Sequence, residues 1–285
     1  IVVDRQPIAA NETSFANAGL VAPGHSYTWA SPKAPGILWK SLFKDGQALR
    51  LKINADLKMW SWGIDFLKNC TAEKSKLNTS RKVRLCRYSQ NLLQQISELE
   101  SINYSQQRGG LLYLYRDPVA FEAGQKNMQV LSDNGLELQA LSKQEVISKE
   151  PGFAQSLTDF EGAIYCPTDE SGDANLFTLA LAEVCQDMGV EFMYEHQVQK
   201  IVASGDQIVG VKTDKGVITA DHYVLAAGSY SPLLAKPLGY KLAVYPVKGY
   251  SVTLPIEEQH TPPAMGGVDE GNLVAWARFG NRFRL

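Results

Sequence analysis

The spacing of apolar positions changes along the chain, and the changes divide it. "IVVD" at 1–4 reads as a strand ending in an acid, and "PIAANETS" after it is turn chemistry. "ANAGLVAPG" at 16–24 is too rich in small residues to be helical throughout, and Pro32, Pro35 and Gly36 punctuate a loop. Helical spacing follows. It predicts helices at 37–44 and 56–70, the second carrying a stripe of Leu57, Trp60, Ile64 and Leu67. The stripe reads as core in preference to a membrane anchor, because its other face carries few basic residues. A further helix is expected over 74–101, with Val83, Leu85, Leu92, Leu93 and Ile96 as its apolar positions. "GGLLYLYRD" at 109–117 is a strand with aromatic content. The next helix has Pro118 near its start and Gly135 after its end. Ser142 and Glu145 have capping-box spacing, and "GAIYC" is a strand.

An amphipathic helix over 174–189 closes at Gly189. The rhythm then shortens to strand, short strand, "SGD" turn, strand, "DKG" turn, strand, and last a buried strand running into "YVLAAGSYSP" at 223–232, with a helix over 231–236. "KLAVYPVKGYSVTLPI" reads as a strand pair or one bent strand, and "NLVAWARFGNRFRL" as another strand. This pattern predicts an α/β protein, α+β overall: an incomplete Rossmann-like domain interleaved with a domain of antiparallel sheet and helices. The sequence opens and stops inside strand patterns, so further chain is expected at both ends.

Composition narrows the function. The 285 residues are 45% hydrophobic and 20% charged, an ordinary globular balance. A formal charge of -2 gives no support for nucleic-acid binding. No apolar run is long enough to predict a transmembrane helix, and "IVVDRQP" lacks the features of a signal peptide. Cys70, Cys86, Cys166 and Cys185 form no C-x-x-C pair and the histidines no H-x-x-x-H pair. Free thiols and no metal centre are the expectation.

Three stretches carry candidate chemistry. Asp4, at a strand end, can accept hydrogen bonds from a ribose, although a strand-ending Asp is more often a turn residue. "ETSFANAG" at 12–19 offers the hydroxyls of Thr13 and Ser14, the amide of Asn17, and close backbone approach at Ala18 and Gly19; an ordinary polar loop is equally consistent with it. In "YVLAAGSYSP", Ala227 and Gly228 let main chain approach a phosphate or a flat ring, or simply turn the strand into a helix.

Taken in order with "VRLCRYS", "GGLLYLYRD", "DESGDANLFT", "ADHYVLAAGSYS", "YPVKGYSVTLPI" and "RFGNRFRL", these stretches resemble the D-amino-acid oxidase superfamily of FAD-dependent amine and amino-acid oxidoreductases, most closely its bacterial D-amino-acid dehydrogenase branch. The resemblance covers nearly the whole chain. It implies that Asp4 binds the adenosine ribose with Arg5 beside it, and that Thr13, Ser14, Asn17, Ala18, Gly19 and Leu20 run along the pyrophosphate and flavin. It implies that Val198 touches adenine, and that Ala227, Gly228 and Tyr230 form a second flavin-side turn. The Gly-rich first turn and a C-terminal flavin-covering segment of the family have no counterpart between Ile1 and Leu285. The implied FAD-binding domain comprises 1–30 and 165–238, and the substrate domain 31–164 and 239–285.

The implied reaction is oxidation of a D-amino acid to a 2-oxo acid and ammonia, with hydride passing from Cα to the flavin and electrons going on to a quinone or respiratory-chain acceptor. A peripheral position on the cytoplasmic side of the bacterial inner membrane goes with that acceptor. Oxidation of glycine, sarcosine or a proline-like amine is an alternative within the family, and a non-catalytic remnant without flavin is an alternative of another class. A substrate carboxylate calls for a cation, and Arg suits it through its planar fork. Arg278, Arg282 and Arg284 share parity in one strand pattern, which a solvated strand face would also explain, and Arg282 is the preferred clamp. Lys248 and Tyr250 are further candidates near the flavin, while Asp169 and Asp173 in "DESGD" read more readily as turn residues.

Overall fold

A computed structural model describes residues 1–43, 55–156 and 158–285. The chain forms two compact units, both discontinuous. The smaller comprises Ile1–Phe15, Asp56–Ile64 and Thr178–Tyr250, and the larger Ala16–Ala55, Asp65–Phe177 and Ser251–Leu285. The stretches 1–30 and 165–238 are shared between the units, since the strand Leu20–Val21 pairs antiparallel with Glu170–Ser171 inside the larger one.

The larger unit is organised by "LLYLY". Leu111–Tyr115 is apolar without alternation, as befits a strand covered on both faces. It lies inside a seven-stranded sheet, ordered Thr253–Pro255, Arg282–Arg284, Val274–Phe279, Gly267–Asp269, Leu111–Tyr115, Gly162–Cys166 and Gln139–Ser142. Every neighbouring pair is antiparallel except Gly267–Asp269 with Leu111–Tyr115. Leu112 and Leu114 pack on one face with Val146, Phe160 and Trp276; Leu111 and Tyr113 pack on the other with Ile164 and Cys166. A second sheet joins Leu20–Val21, Glu170–Ser171 and Gln107–Arg108.

The helix Pro118–Ser132 starts where its signals place it: Asp117 Oδ1 accepts the Ala120 N–H at 2.8 Å, and Gly135 lies beyond the end at φ +81°. Ser142 and Glu145 form the expected capping box ahead of Lys143–Lys149. The expected helix at 74–101 is Ala72–Leu99, capped by Thr71. Its fully buried face is mostly polar, Thr79, Val83, Gln90 and Ser97, while Leu85 is exposed. The expected helix at 37–44 is Ala34–Phe43, and position 44 lies outside the described residues.

Four sequence expectations are corrected. The stripe Leu57, Trp60, Ile64 and Leu67 does not enter a core: all four are exposed on the helix Leu57–Leu67, and Met59 is its buried residue. The stretch 222–227 is not a buried strand. It pairs with no described strand, and Val224 is 91% exposed; an apolar run without a ladder partner leaves its backbone groups to solvent. Arg278 does not share a face with Arg282 and Arg284. Gly280 (φ +60°) and Asn281 form a two-residue turn, which sets Arg278 opposite Phe283, and Arg282 opposite Phe279. The strand pair or bent strand expected over 241–256 is reduced to Thr253–Pro255.

In the smaller unit Val2–Val3 pairs in parallel with Phe192–Met193. The expected meander is present as Val198–Ser204, Gln207–Thr213 and Gly216–Ile218, and the helix Ser231–Ala235 packs on its first strand.

Candidate functional site

Asp4 follows the parallel strand directly. Its N–H donates to Met193 O at 3.1 Å, and its carbonyl accepts the His196 N–H at 2.9 Å, two residues before Val198. Its Oδ1 accepts the Gln6 N–H at 2.8 Å, and its Oδ2 takes no hydrogen bond among the described residues. Arg5 turns the other way. Its Nε donates to Glu12 Oε1 at 3.0 Å and its guanidinium lies 4.1 Å from the centre of the Tyr230 ring. Those hydrogen bonds, with one from Gln6, hold the Glu12 carboxyl below its usual range. The turn after the first strand and the turn Gly228–Tyr230 are thereby tied together. Thr13 and Ser14 open a short 3-10 turn. Gly228 adopts φ +51°, and nothing lies within 4 Å of where its Cβ would be, so its backbone is open to a ligand.

The larger unit gathers Asn17, Ala18, Gly19 and Leu20 on a cavity of about 340 Å³, closed by Leu93, Tyr104 and Phe177. Asn17 Oδ1 accepts the Gly19 N–H at 2.9 Å and sets the turn. Gly19 (φ +66°) is required by the protein itself, since a Cβ there would sit 2.4 Å from Gly172 O and 2.5 Å from the Phe279 ring. The buried hydroxyls of Tyr104 and Ser171 make no hydrogen bond among the described residues. Burial pushes the Tyr104 phenol up.

Arg282 lies in this unit as well. Its Nη2 donates to Asp173 Oδ2 at 2.7 Å, and its side chain is 38% exposed. Arg284 is buried instead, donating to Thr253 Oγ1 at 2.9 Å and to Asn17 O at 3.1 Å. Lys248 and Tyr250 belong to the smaller unit; both are exposed, and the ammonium lies 4.9 Å from the centre of the ring.

Sequence reasoning missed Tyr104, which no local motif marks, and assigned no role to Gly172 and Phe177 although both lie in "DESGDANLFT". It also undervalued two acids. Asp169 accepts the Gly24 N–H at 2.9 Å and the Tyr113 hydroxyl, and burial raises its carboxyl despite those donors. Beside it, burial raises the Cys166 thiol to about 12. Asp173 precedes the helix Ala174–Asp187, bonds the Asn175 N–H at 3.0 Å and holds Arg282. The four cysteines are free thiols.

The family model described as FAD dependent oxidoreductase, DAO, matches residues 1–283. The chain belongs to this FAD-dependent oxidoreductase family. Among curated relatives of this DAO chain, D-amino acid dehydrogenase of Agrobacterium fabrum is 40% identical over 283 residues, spanning 99% of this chain and 68% of that protein. D-amino acid dehydrogenase of Vibrio cholerae is 38% identical over 284 residues, again covering 68% of its length. The DAO fold is shared with glycine oxidase from Geobacillus kaustophilus, at TM-score 0.66 and 19% identity over 99% of this chain and 62% of that one. It is shared also with L-proline dehydrogenase from P. horikoshii, at TM-score 0.60 and 21% identity over 71% and 54%.

The residues present fit FAD. In the smaller unit the unused Asp4 oxygen suits a ribose hydroxyl, and the open Gly228 turn suits close approach of a phosphate or ring.

Proposed function

We propose that this protein carries out FAD-dependent oxidative deamination of D-amino acids, giving 2-oxo acids and ammonia. The observation that carries the reading is the 40% identity, over nearly the whole chain, to a D-amino acid dehydrogenase. FAD, when bound, supplies a two-electron acceptor for the substrate Cα–H bond.

The chain's own residues bind and orient. Asp4 would accept ribose hydroxyls, with Arg5 and Val198 near the adenosine end. From family likeness, Thr13, Ser14, Ala227, Gly228 and Tyr230 are proposed as dinucleotide contacts, and so are Asn17, Ala18, Gly19 and Leu20. Arg282 would clamp the substrate carboxylate. Asp173 bonds one edge of its guanidinium and leaves other donors for a carboxylate. Lys248 and Tyr250 are proposed on the substrate side, from family likeness.

The relatives' names are those of dehydrogenases, which supports an acceptor other than oxygen. The proposal takes this to be a respiratory quinone, with the protein peripheral at the cytoplasmic face of the inner membrane. No helix among the described residues is long and apolar enough to cross a membrane.

The test is a flavin absorbance spectrum of the FAD-loaded protein, taken without oxygen before and after D-alanine. Loss of the visible band is expected. A bound flavin that keeps its colour would move the substrate to another amine, and a chain that takes up no flavin would end the cofactor reading. Asp4→Ala should weaken FAD about tenfold or more, as expected for a lost hydrogen bond to a charged acceptor. Equilibrium dialysis checks this, and an unchanged constant would remove Asp4 from the ribose.

A further inference from the structure

The helix Leu57–Leu67 turns its apolar stripe outward. Leu57, Trp60, Ile64 and Leu67 are each at least 47% exposed, and their spacing of three and four puts them on one face. The other side fastens the helix to the protein. Met59 is buried there, and the Trp62 ring lies 5.8 Å from that of Tyr245. Exposed apolar side chains scattered singly need no account, but four contiguous large ones mark a surface that meets something.

Charge narrows what it meets. Lys58 and Lys68 are exposed near the two ends of the stripe, and Lys68 follows Ile64 by four residues, so it emerges on the same side. The helix carries one acid, Asp65, whose Oδ1 accepts from Lys68 Nζ at 3.3 Å. Lys74 Nζ donates to Lys68 O at 2.9 Å and brings a further ammonium to that end. In sequence, 33–68 holds seven Lys and Arg against three Asp, although the whole chain has a formal charge of -2.

Two copies meeting by this face, parallel or antiparallel, would bring lysines together. An anionic bilayer suits both features, since apolar side chains enter the acyl boundary while lysine stems reach back to lipid phosphates. We propose that the helix Leu57–Leu67 docks the protein on an anionic phospholipid surface, with the stripe in the interface and Lys58 and Lys68 on phosphates. The proposal rests on the peripheral-membrane part of the function above and names the surface responsible. It needs neither flavin nor amino acid, so it fails or stands separately from the deamination reading.

Cosedimentation with phospholipid vesicles tests it. The protein should bind vesicles of mixed phosphatidylcholine and phosphatidylglycerol, and pure phosphatidylcholine at least about tenfold more weakly. Leu57→Asp and Ile64→Asp should each weaken binding to the mixed vesicles about tenfold or more. Both side chains are at the surface, and an unchanged far-ultraviolet circular dichroism spectrum checks that the variants fold. Equal binding to the two kinds of vesicle would overturn the proposal. Binding unchanged in both variants would also overturn it, while leaving the membrane reading to another surface. No binding to either vesicle would end both. A dimer in sedimentation that Ile64→Asp separates, with no vesicle binding, would assign the face to a second copy instead.

Discussion

Gly267→Ala is expected to destabilise the larger unit by about 3 kcal/mol or more. The cause is local and severe. A Cβ at 267 would sit 2.1 Å from the Leu112 carbonyl oxygen and 2.4 Å from the Trp276 ring. The first is main chain of a fully buried strand. The second is a ring whose Nε1 donates to Met265 O at 2.9 Å and packs in the core. Relieving the first contact means separating the parallel pair Gly267–Asp269 and Leu111–Tyr115, and relieving the second means displacing a core ring. Gly271→Ala is the control: its nearest neighbour would be 3.4 Å away, and the expected change is below about 1 kcal/mol. Urea unfolding followed by tryptophan fluorescence measures both. Equal midpoints would mean that Gly267 does not face Leu112.

Arg282→Ala should raise KM for D-alanine about tenfold to a hundredfold, with flavin content unchanged and kcat much less affected. This follows from the proposed clamp. The guanidinium is oriented by a buried acid, Asp173, and is only partly covered, so it can present its remaining donors to a carboxylate. Steady-state kinetics with an artificial acceptor checks the split. An unchanged KM would move the clamp elsewhere. Arg284 is an unsuitable substitute because it is buried, with Nε and Nη1 donating to Thr253 and Asn17.

Signals carried by adjacent residues were legible in the sequence. The Ser142–Glu145 capping box, Pro118 at a helix start and the "SGD" and "DKG" turns depend on residues a few positions apart, and each is found as read. The segment Asn17–Leu20 was picked from small and polar residues, and it does line a cavity. Two of the failures depended on partners far along the chain, and the third on a short turn that was overlooked. Leu57, Trp60, Ile64 and Leu67 have the periodicity of a buried face, but periodicity does not supply the surface that covers it. "YVLAAG" has strand composition and no described strand beside it. The three arginines share parity in sequence, but a two-residue turn resets the count. Tyr104 and Phe177 reach the cavity through tertiary packing, their rings 5.3 Å apart edge to face, which no local pattern announces.

The parallel pairing of Gly267–Asp269 with Leu111–Tyr115 also sets an order of events during synthesis. The central strand is made early, yet one of its edges waits more than a hundred residues for its neighbour, and the sheet beyond it is finished only by Arg282–Arg284. Contacts of such long range slow folding. Until they form, a nascent chain exposes the open edge of its most apolar strand, the kind of surface that pairs with other chains. Protection of that edge on the ribosome, by slow translation or by a chaperone, therefore bears on how much folded protein a cell obtains.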